Sequence, residues 1–209
     1  MNERFKEIKK ITNNPFLNYY ELSVTNKAGK EHPYYMASRA KDGLIKAQKG
    51  EYPSDGILIY GVHQGEDQVD RLVLVRQFRY PIGDYVYELP AGLIDPGESE
   101  TEAAVREYRE ETGLTLKPLM VEEALTKGFY SSAGMTDESV GTAYGYAYGI
   151  PSTKELEENE DLSVILADRE EVKRILREGK FCSKTGYLML LFLNSKNGKP
   201  FDFLENFLK

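Results

Sequence analysis

The stretch from Gly92 to Leu114 constrains this chain more than any other. It holds Gly92, then Glu98, the pair Arg106-Glu107, the pair Glu110-Glu111, and Gly113 followed by an apolar residue. Ser99 followed three residues later by Glu102 is a capping-box signature, and Pro96-Gly97 turns the chain just before it, so a helix is predicted to begin at about Ser99. Gly113 ends it. Ala104, Val105 and Tyr108 fall close enough on the helical period to form an inner face. Glu107, Glu110 and Glu111 are three and four residues apart, which puts three carboxylates on neighbouring positions of the last turn. That is the end where the helix dipole favours cations and where like charges at this spacing repel, each effect costing roughly a few tenths of a kcal/mol. A local rule broken this openly marks a site.

Hard divalent cations such as Mg²⁺ would offset the repulsion, because they bind carboxylate oxygens and complete their shell with water and substrate phosphate. Arg106 also has an ordinary reading: it stands four residues before Glu110 and could pair with it, or with Glu98, on a solvated face. The whole constellation resists that reading. Seven fixed identities in register arise by chance on the order of once in 10⁸ windows at ordinary residue usage.

The segment resembles the Nudix box of the Nudix hydrolases, which cleave nucleoside diphosphates linked to another moiety with divalent metal held by this helix. Every charged and glycine position of the pattern is present; Tyr108 stands where the family usually has an aliphatic residue. The resemblance implies metal ligation by Glu98, Glu107, Glu110 and Glu111, with Mg²⁺, or Mn²⁺ in its place, as cofactor. It also sets Arg106 and Glu110 among the catalytic residues.

A chain of 209 residues suits one domain with an appendage or two small ones. With 41% hydrophobic and 29% charged residues it reads as soluble and globular. A net charge of −7 and the lack of a basic stripe argue against a nucleic-acid partner, while a small anionic substrate is allowed if metal supplies positive charge. The single cysteine, Cys182, cannot form an internal disulfide and indicates a reducing compartment. The N-terminus has charges of both signs and no apolar core of signal-peptide length, and the longest apolar run, Tyr187 to Leu193, is too short to span a bilayer. A cytoplasmic protein without membrane contact is expected.

Residues 1–50 read as an N-terminal β appendage, with strands from Phe16 to Val24 and His32 to Ser38 around the turn Asn26–Lys30, and residues 51–209 as the main domain. His32 and His63 have no partners at ligand spacing. Strands are predicted from Ser54 to Val62, Arg71 to Phe78, Tyr85 to Leu89, Leu119 to Ala124, Gly141 to Ile150 and Leu162 to Leu166. Lys154 to Asp161 is an acidic connector, Asp168 to Glu178 a helix ended by Gly179, and Tyr187 to Asn194 a buried helix. The fold class is therefore α/β, a Nudix-type mixed sheet between helices with the β appendage.

Within the Nudix group, Gln77-Phe78-Arg79 followed by Glu88-Leu89-Pro90-Ala91-Gly92 is most similar to the ADP-ribose pyrophosphatases. That resemblance implies substrate contacts by Arg79 and Glu88 and a backbone metal ligand at Ala91. The loop Ser131 to Glu138 resembles a family segment whose later glutamate is the catalytic base, here Glu138, with Ala133 in place of the usual proline. Small residues and Gly134 would let this loop close over substrate. The implied reaction is metal-assisted hydrolysis of ADP-ribose to AMP and ribose 5-phosphate. Another nucleoside diphosphate sugar on the same machinery and a nucleotide-sensing Nudix module are the alternatives. The aromatic surface of the N-terminal strands (Tyr19, Tyr20, Tyr34, Tyr35), with the resembled subfamily, implies a homodimer.

Overall fold

The computed structural model describes residues 3–40, 45–50, 52–156 and 161–205. Its elements begin with β1 (Phe5–Lys10), β2 (Asn18–Thr25), β3 (Glu31–Ser38) and α1 (Lys46–Lys49). There follow β4 (Gly56–Gln64), β5 (Asp70–Arg79), β6 (Asp84–Glu88), β7 (Ala91–Leu93), α2 (Glu100–Thr112), β8 (Thr115–Pro118) and α3 (Glu123–Thr126). The chain continues with β9 (Phe129–Tyr130), β10 (Ser139–Tyr148), β11 (Leu162–Ala167), α4 (Arg169–Glu178), α5 (Ser183–Asn194) and α6 (Asp202–Glu205). Two compact units emerge, one of residues up to Asp55 with Lys127–Gly141, the other Gly56–Thr126 with the chain from Thr142 onward.

The first unit is built on an antiparallel sheet in the order β1-β2-β3. Asn26 shapes the β2–β3 turn: its side-chain oxygen accepts from the Ala28 and Lys30 N–H groups at 2.9 and 3.0 Å, and Gly29 takes the left-handed conformation there, φ +76°. Tyr20, Leu22, Met36 and Ile45 form the core, with Phe5, Ile8 and Val24 packed against it. Strand alternation sends Tyr20 into this core and turns Tyr19 out, where its ring stacks on Tyr35 with centroids 5.8 Å apart. So Tyr20 does not belong to the exposed aromatic surface. The sequence reading foresaw β2 and β3 but not β1, because Phe5 and Ile8 lie three apart among charges. A register shift between Phe5 and Glu7 brings both onto one face.

In the second unit the strands run β11-β5-β4-β10-β8, with β6 paired to β5 and β7 to β4. Ile57, Ile59 and Val73 on one face pack with Ala103, Ala104 and Tyr108 of α2. Tyr60, on the opposite face by alternation, meets the rings of Phe201 and Phe203 at 5.6 and 5.4 Å. The sheet is thus covered on both faces, which is why β4 reads as a continuous apolar run. The expected α/β class, with a large mixed sheet and an N-terminal antiparallel sheet, is met.

Three local expectations change. On α2 the buried residues include Ala103, Ala104 and Tyr108, while Val105 is exposed, since it lies about 100° around the helix from Ala104. The strand expected at Leu119 to Ala124 lies earlier, at β8: Thr115 to Pro118 pair with Tyr148 to Gly145, and Met120 is almost fully exposed. Only Leu116 of β8 is buried, too thin a pattern to read from sequence. Helix α5 buries Thr185, Gly186, Met189 and Phe192 but exposes Tyr187, Leu190 and Leu191, so it is half-buried. Of the acidic connector, residues 157–160 lie outside the described residues. Among the described residues no helix is long and apolar enough to cross a membrane.

Candidate active site

Helix α2 starts as its sequence dictates. The Ser99 hydroxyl accepts from the Glu102 N–H at 3.3 Å and the Glu102 carboxylate accepts from the Ser99 N–H at 2.9 Å. Gly113, at φ +67°, closes the helix with its N–H on the Arg109 carbonyl at 2.8 Å. A helix pinned at both ends fixes the azimuth of the acidic residues between.

Arg106 is the hub of that acidic end. Its Nε and Nη2 donate to the two oxygens of Glu98 at 2.9 and 2.8 Å, its Nη1 lies 2.8 Å from Glu107 and 3.1 Å from Glu110, and Nη2 also reaches the Leu93 carbonyl at 3.0 Å. The fork of the guanidinium matches a carboxylate on one edge and still offers a proton to two more. This contact with Arg106 holds the Glu98 carboxyl well below the usual carboxylate range, at about 2, and the same contact raises the guanidinium's own pKa. Arg106 thus relieves the repulsion that the helix dipole worsens. The ordinary ion-pair reading of Arg106 and the clustering of the box acids are both realised.

Strand β7 supplies the other wall. Gly92 has no side chain where the Glu107 carboxylate rests: a Cβ there would lie 1.9 to 2.2 Å from the carboxylate atoms. The buried Glu111 turns toward the same strand and accepts from the Ala91 N–H at 3.1 Å. Ala91, Glu98, Glu107, Glu110 and Glu111 are therefore gathered by β7, the loop after it, and one face of α2.

The β5–β6 register sets Arg79 opposite Asp84 and Glu88 opposite Val75, four positions apart along the hairpin, and the two long side chains span that gap. The Arg79 Nε donates to Glu88 Oε2 at 2.7 Å, and the other Glu88 oxygen accepts from the Cys182 thiol at 2.7 Å. Glu88 is buried and Arg79 half-exposed, so the pair presents a guanidinium whose orientation is set from below. Cys182 is the residue before α5, and its contact with Glu88 carries no local signal in the sequence.

Glu138 belongs to the first unit. Its carboxylate accepts from the Arg39 Nε at 2.8 Å, and its backbone oxygen and N–H engage the Ser131 N–H at 2.9 Å and the Thr136 hydroxyl at 3.1 Å. The loop expected to hinge at Gly134 is tied to β3 twice: the Tyr34 hydroxyl donates to the Gly134 carbonyl at 2.7 Å and the Ala37 N–H to the Met135 carbonyl at 2.8 Å. Sequence reasoning missed Arg39, Lys46 and Asp55, whose bonds to this segment span more than eighty positions of chain.

A family model for the NUDIX domain matches residues 53–183. The chain belongs to the Nudix family. Among curated Nudix-type relatives it is similar to the ADP-ribose pyrophosphatase of Bacillus subtilis, 33% identical over 119 residues that cover 56% of this chain and 62% of that one. It is also similar to the ADP-ribose pyrophosphatase of Saccharomyces cerevisiae, 30% identical over 113 residues, 54% of this chain and 46% of the relative. The ADP-sugar pyrophosphatase of Mus musculus matches at 42% over 69 residues, 33% of this chain and 31% of the relative. The aligned region spans less than two thirds of each of these relatives. A crystal structure of an ADP compounds hydrolase shares the fold with a TM-score of 0.65 at 18% identity, covering 97% of this chain and 94% of that one.

Nudix hydrolases are generally divalent-metal dependent, and the residues present fit such an ion. The donors are carboxylate oxygens, the hard ligands such ions prefer, and Gly92 leaves open the space in which the Glu107 carboxylate lies. Among the described residues no three acidic, histidine or cysteine groups are grouped as a ready cation site. The box carboxylates are drawn onto Arg106 instead.

Proposed function

We propose that this Nudix chain hydrolyses the diphosphate of ADP-ribose to AMP and ribose 5-phosphate with a divalent cation, Mg²⁺ or Mn²⁺. The observation that carries the reading is the convergence of Glu98, Glu107 and Glu110 on one guanidinium, with Glu111 turned to Ala91 beside them. So dense a group of carboxylates, beside a glycine where a Cβ would displace the Glu107 carboxylate, is suited to a cation-dependent reaction at a polyanion. The choice of ADP-ribose is supported by the Bacillus and Saccharomyces relatives. A wider range of ADP-sugars is the second reading, favoured by the mouse relative.

When bound, the cation supplies positive charge that offsets the diphosphate's and eases the ionisation of water. Glu98, Glu107, Glu110 and Glu111, with the Ala91 carbonyl, would hold it. Arg106 orients Glu98, Glu107 and Glu110, and Arg79, steadied by Glu88, binds an anionic or ribose group of the substrate. Glu138 takes the proton of the attacking water, whose oxygen bonds to phosphorus as the anhydride oxygen leaves with the other phosphate. The box carboxylates are poor candidates for that task, because a ligand's lone pairs are committed and its basicity lowered by the ion. A homodimer is part of this proposal, supported by the exposed Tyr19, Tyr34 and Tyr35 of the N-terminal sheet.

Assay of nucleoside diphosphate derivatives with Mg²⁺, with products identified, tests the reading. ADP-ribose should be turned over to AMP and ribose 5-phosphate, and Glu111→Gln should cut kcat by at least ~10²-fold. Near-normal turnover of Glu111→Gln in saturating Mg²⁺ would refute the metal assignment, and sedimentation as a monomer at micromolar concentration would refute the dimer.

A further inference from the structure

Lys46 is a lysine in a place that excludes water. Its side chain is 9% exposed, and its ammonium donates to three acceptors: the Pro53 carbonyl at 2.7 Å, Asp55 Oδ2 at 2.6 Å and Ser139 Oγ at 2.5 Å. A buried charge is tolerated only when paired and fully hydrogen-bonded, and three acceptors use all three ammonium protons. The partners converge on one short piece of chain. Asp55 Oδ2 also accepts from the Ser139 N–H at 2.8 Å, and the Asp55 N–H donates to the Ser139 carbonyl at 2.8 Å, so Ser139 is gripped through both backbone groups and its hydroxyl. Two residues earlier, Asp137 Oδ2 accepts from the Lys46 backbone N–H at 2.9 Å. Gly128 closes the node, since a Cβ there would lie 2.6 Å from the Ser54 hydroxyl and 3.2 Å from that of Ser139.

Lys46 therefore holds the residues on either side of Glu138, Asp137 through its backbone and Ser139 through its ammonium. We propose that Lys46, with Asp55, is a positioning residue for the Glu138 carboxylate. A proton acceptor works only within hydrogen-bond reach of its proton and in one orientation, and a strand start with a hydroxyl-rich loop before it does not by itself supply that rigidity. The node removes the freedom of both neighbours and fixes the backbone from which the Glu138 side chain reaches the Arg39 Nε at 2.8 Å. This inference rests on the reading of Glu138 as the base.

The test is steady-state turnover of ADP-ribose with Mg²⁺ by Lys46→Met, Glu138→Gln and the double variant, with thermal melts of each. Lys46→Met should lower kcat by ~10 to 10²-fold, the scale of a misplacement of about 1 Å, while KM stays near wild type. In the Glu138→Gln background the same substitution should cost no further kcat, because the group it positions is gone. If Lys46→Met does not fold, Lys46→Met/Asp55→Asn, which removes both charges, takes its place in the same comparison. Wild-type kcat in Lys46→Met together with an impaired Glu138→Gln would overturn the positioning role alone. An equal loss in both backgrounds would overturn it too, as the mark of a merely structural residue. Wild-type kcat in Glu138→Gln would overturn the base assignment itself and the inference with it.

Discussion

Gly61 of β4 lies against the ring of Tyr108 on α2: a Cβ at Gly61 would sit 2.1 Å from the Tyr108 hydroxyl oxygen. Tyr108 occupies the box position where the Nudix family usually has an aliphatic residue, and the absent side chain of Gly61 makes room for the larger ring. The hydroxyl is buried without a hydrogen-bond partner among the described residues, and burial drives its pKa well above the usual value. Tyr108→Phe is expected to leave stability unchanged or raise it by up to about 1 kcal/mol, since an unsatisfied buried hydroxyl is removed and the ring kept. Gly61→Ala should cost roughly 1–3 kcal/mol by overpacking, most of it recovered in the Gly61→Ala/Tyr108→Leu pair. Urea unfolding of wild type, Tyr108→Phe, Gly61→Ala, Tyr108→Leu and the Gly61→Ala/Tyr108→Leu pair measures each value; purely additive effects would show that the two residues do not share the space.

Gly92 makes a different kind of contact. A Cβ there meets the far end of the Glu107 side chain, which can swing away, so the fold can accommodate Gly92→Ala while the carboxylate cannot stay where it is. Turnover with Mg²⁺ should fall by ~10²-fold, the scale of a displaced catalytic group, with a small change in melting temperature. Activity close to wild type would show that the Glu107 position is not used.

The acid side of the stability curve has a local contributor on α4. Arg174 grips Glu171 in a fork, Nη2 to Oε1 at 2.6 Å and Nε to Oε2 at 2.8 Å, which lowers the Glu171 pKa. A depressed folded-state pKa means that the pair's contribution is present above the unfolded pKa of Glu171 and is lost as pH falls through the folded one. Glu171→Gln should therefore be less stable than wild type at pH 7, with the gap closing in acid below the usual glutamate range. Denaturant midpoints between pH 2 and pH 7, with pH spaced in about one-unit steps, follow the gap; a constant difference across that range would refute the linkage.

Cys182 should be slow to alkylate even though the residue reaches solvent. Burial of the thiol pushes its pKa up, and the hydrogen bond to the Glu88 carboxylate adds to this, to about 12. The start of a helix ordinarily favours the thiolate, so here the local carboxylate and burial win over the helix dipole. At pH 8 iodoacetamide should react with Cys182 at least ~10²-fold more slowly than with a free thiol, and Glu88→Gln should accelerate the reaction. Mass spectrometry of the labelled chain gives the rates, and free-thiol reactivity in the wild type would count against the Cys182–Glu88 bond.

Where the determinants are local, the sequence was sufficient. The capping box at Ser99, the stop at Gly113 and the cap of α4 at Asp168 are written in neighbouring residues, and they place Glu107, Glu110 and Glu111 on one helix end before any tertiary contact forms. Spacing alone likewise brings Arg106 within reach of Glu110. The hairpin of β2 and β3 was legible because alternation and the turn from Asn26 to Lys30 are short-range signals, whereas β1 required a bulge and β8 a single buried leucine to be seen. Only the tertiary structure decided which side chain answers which. That Arg79 and Glu88 meet each other and Cys182, that Gly92 yields its side-chain space to Glu107, that Tyr108 fits over Gly61, and that a buried Lys46 ties down Asp137 and Ser139 all depend on how separate elements pack. Hydrophobic periodicity carries the direction of a side chain but not the identity of its partner. Polar contacts in a water-excluded setting are fixed by the requirement that each buried donor and acceptor be satisfied, a condition set by the packed elements together and by no single segment.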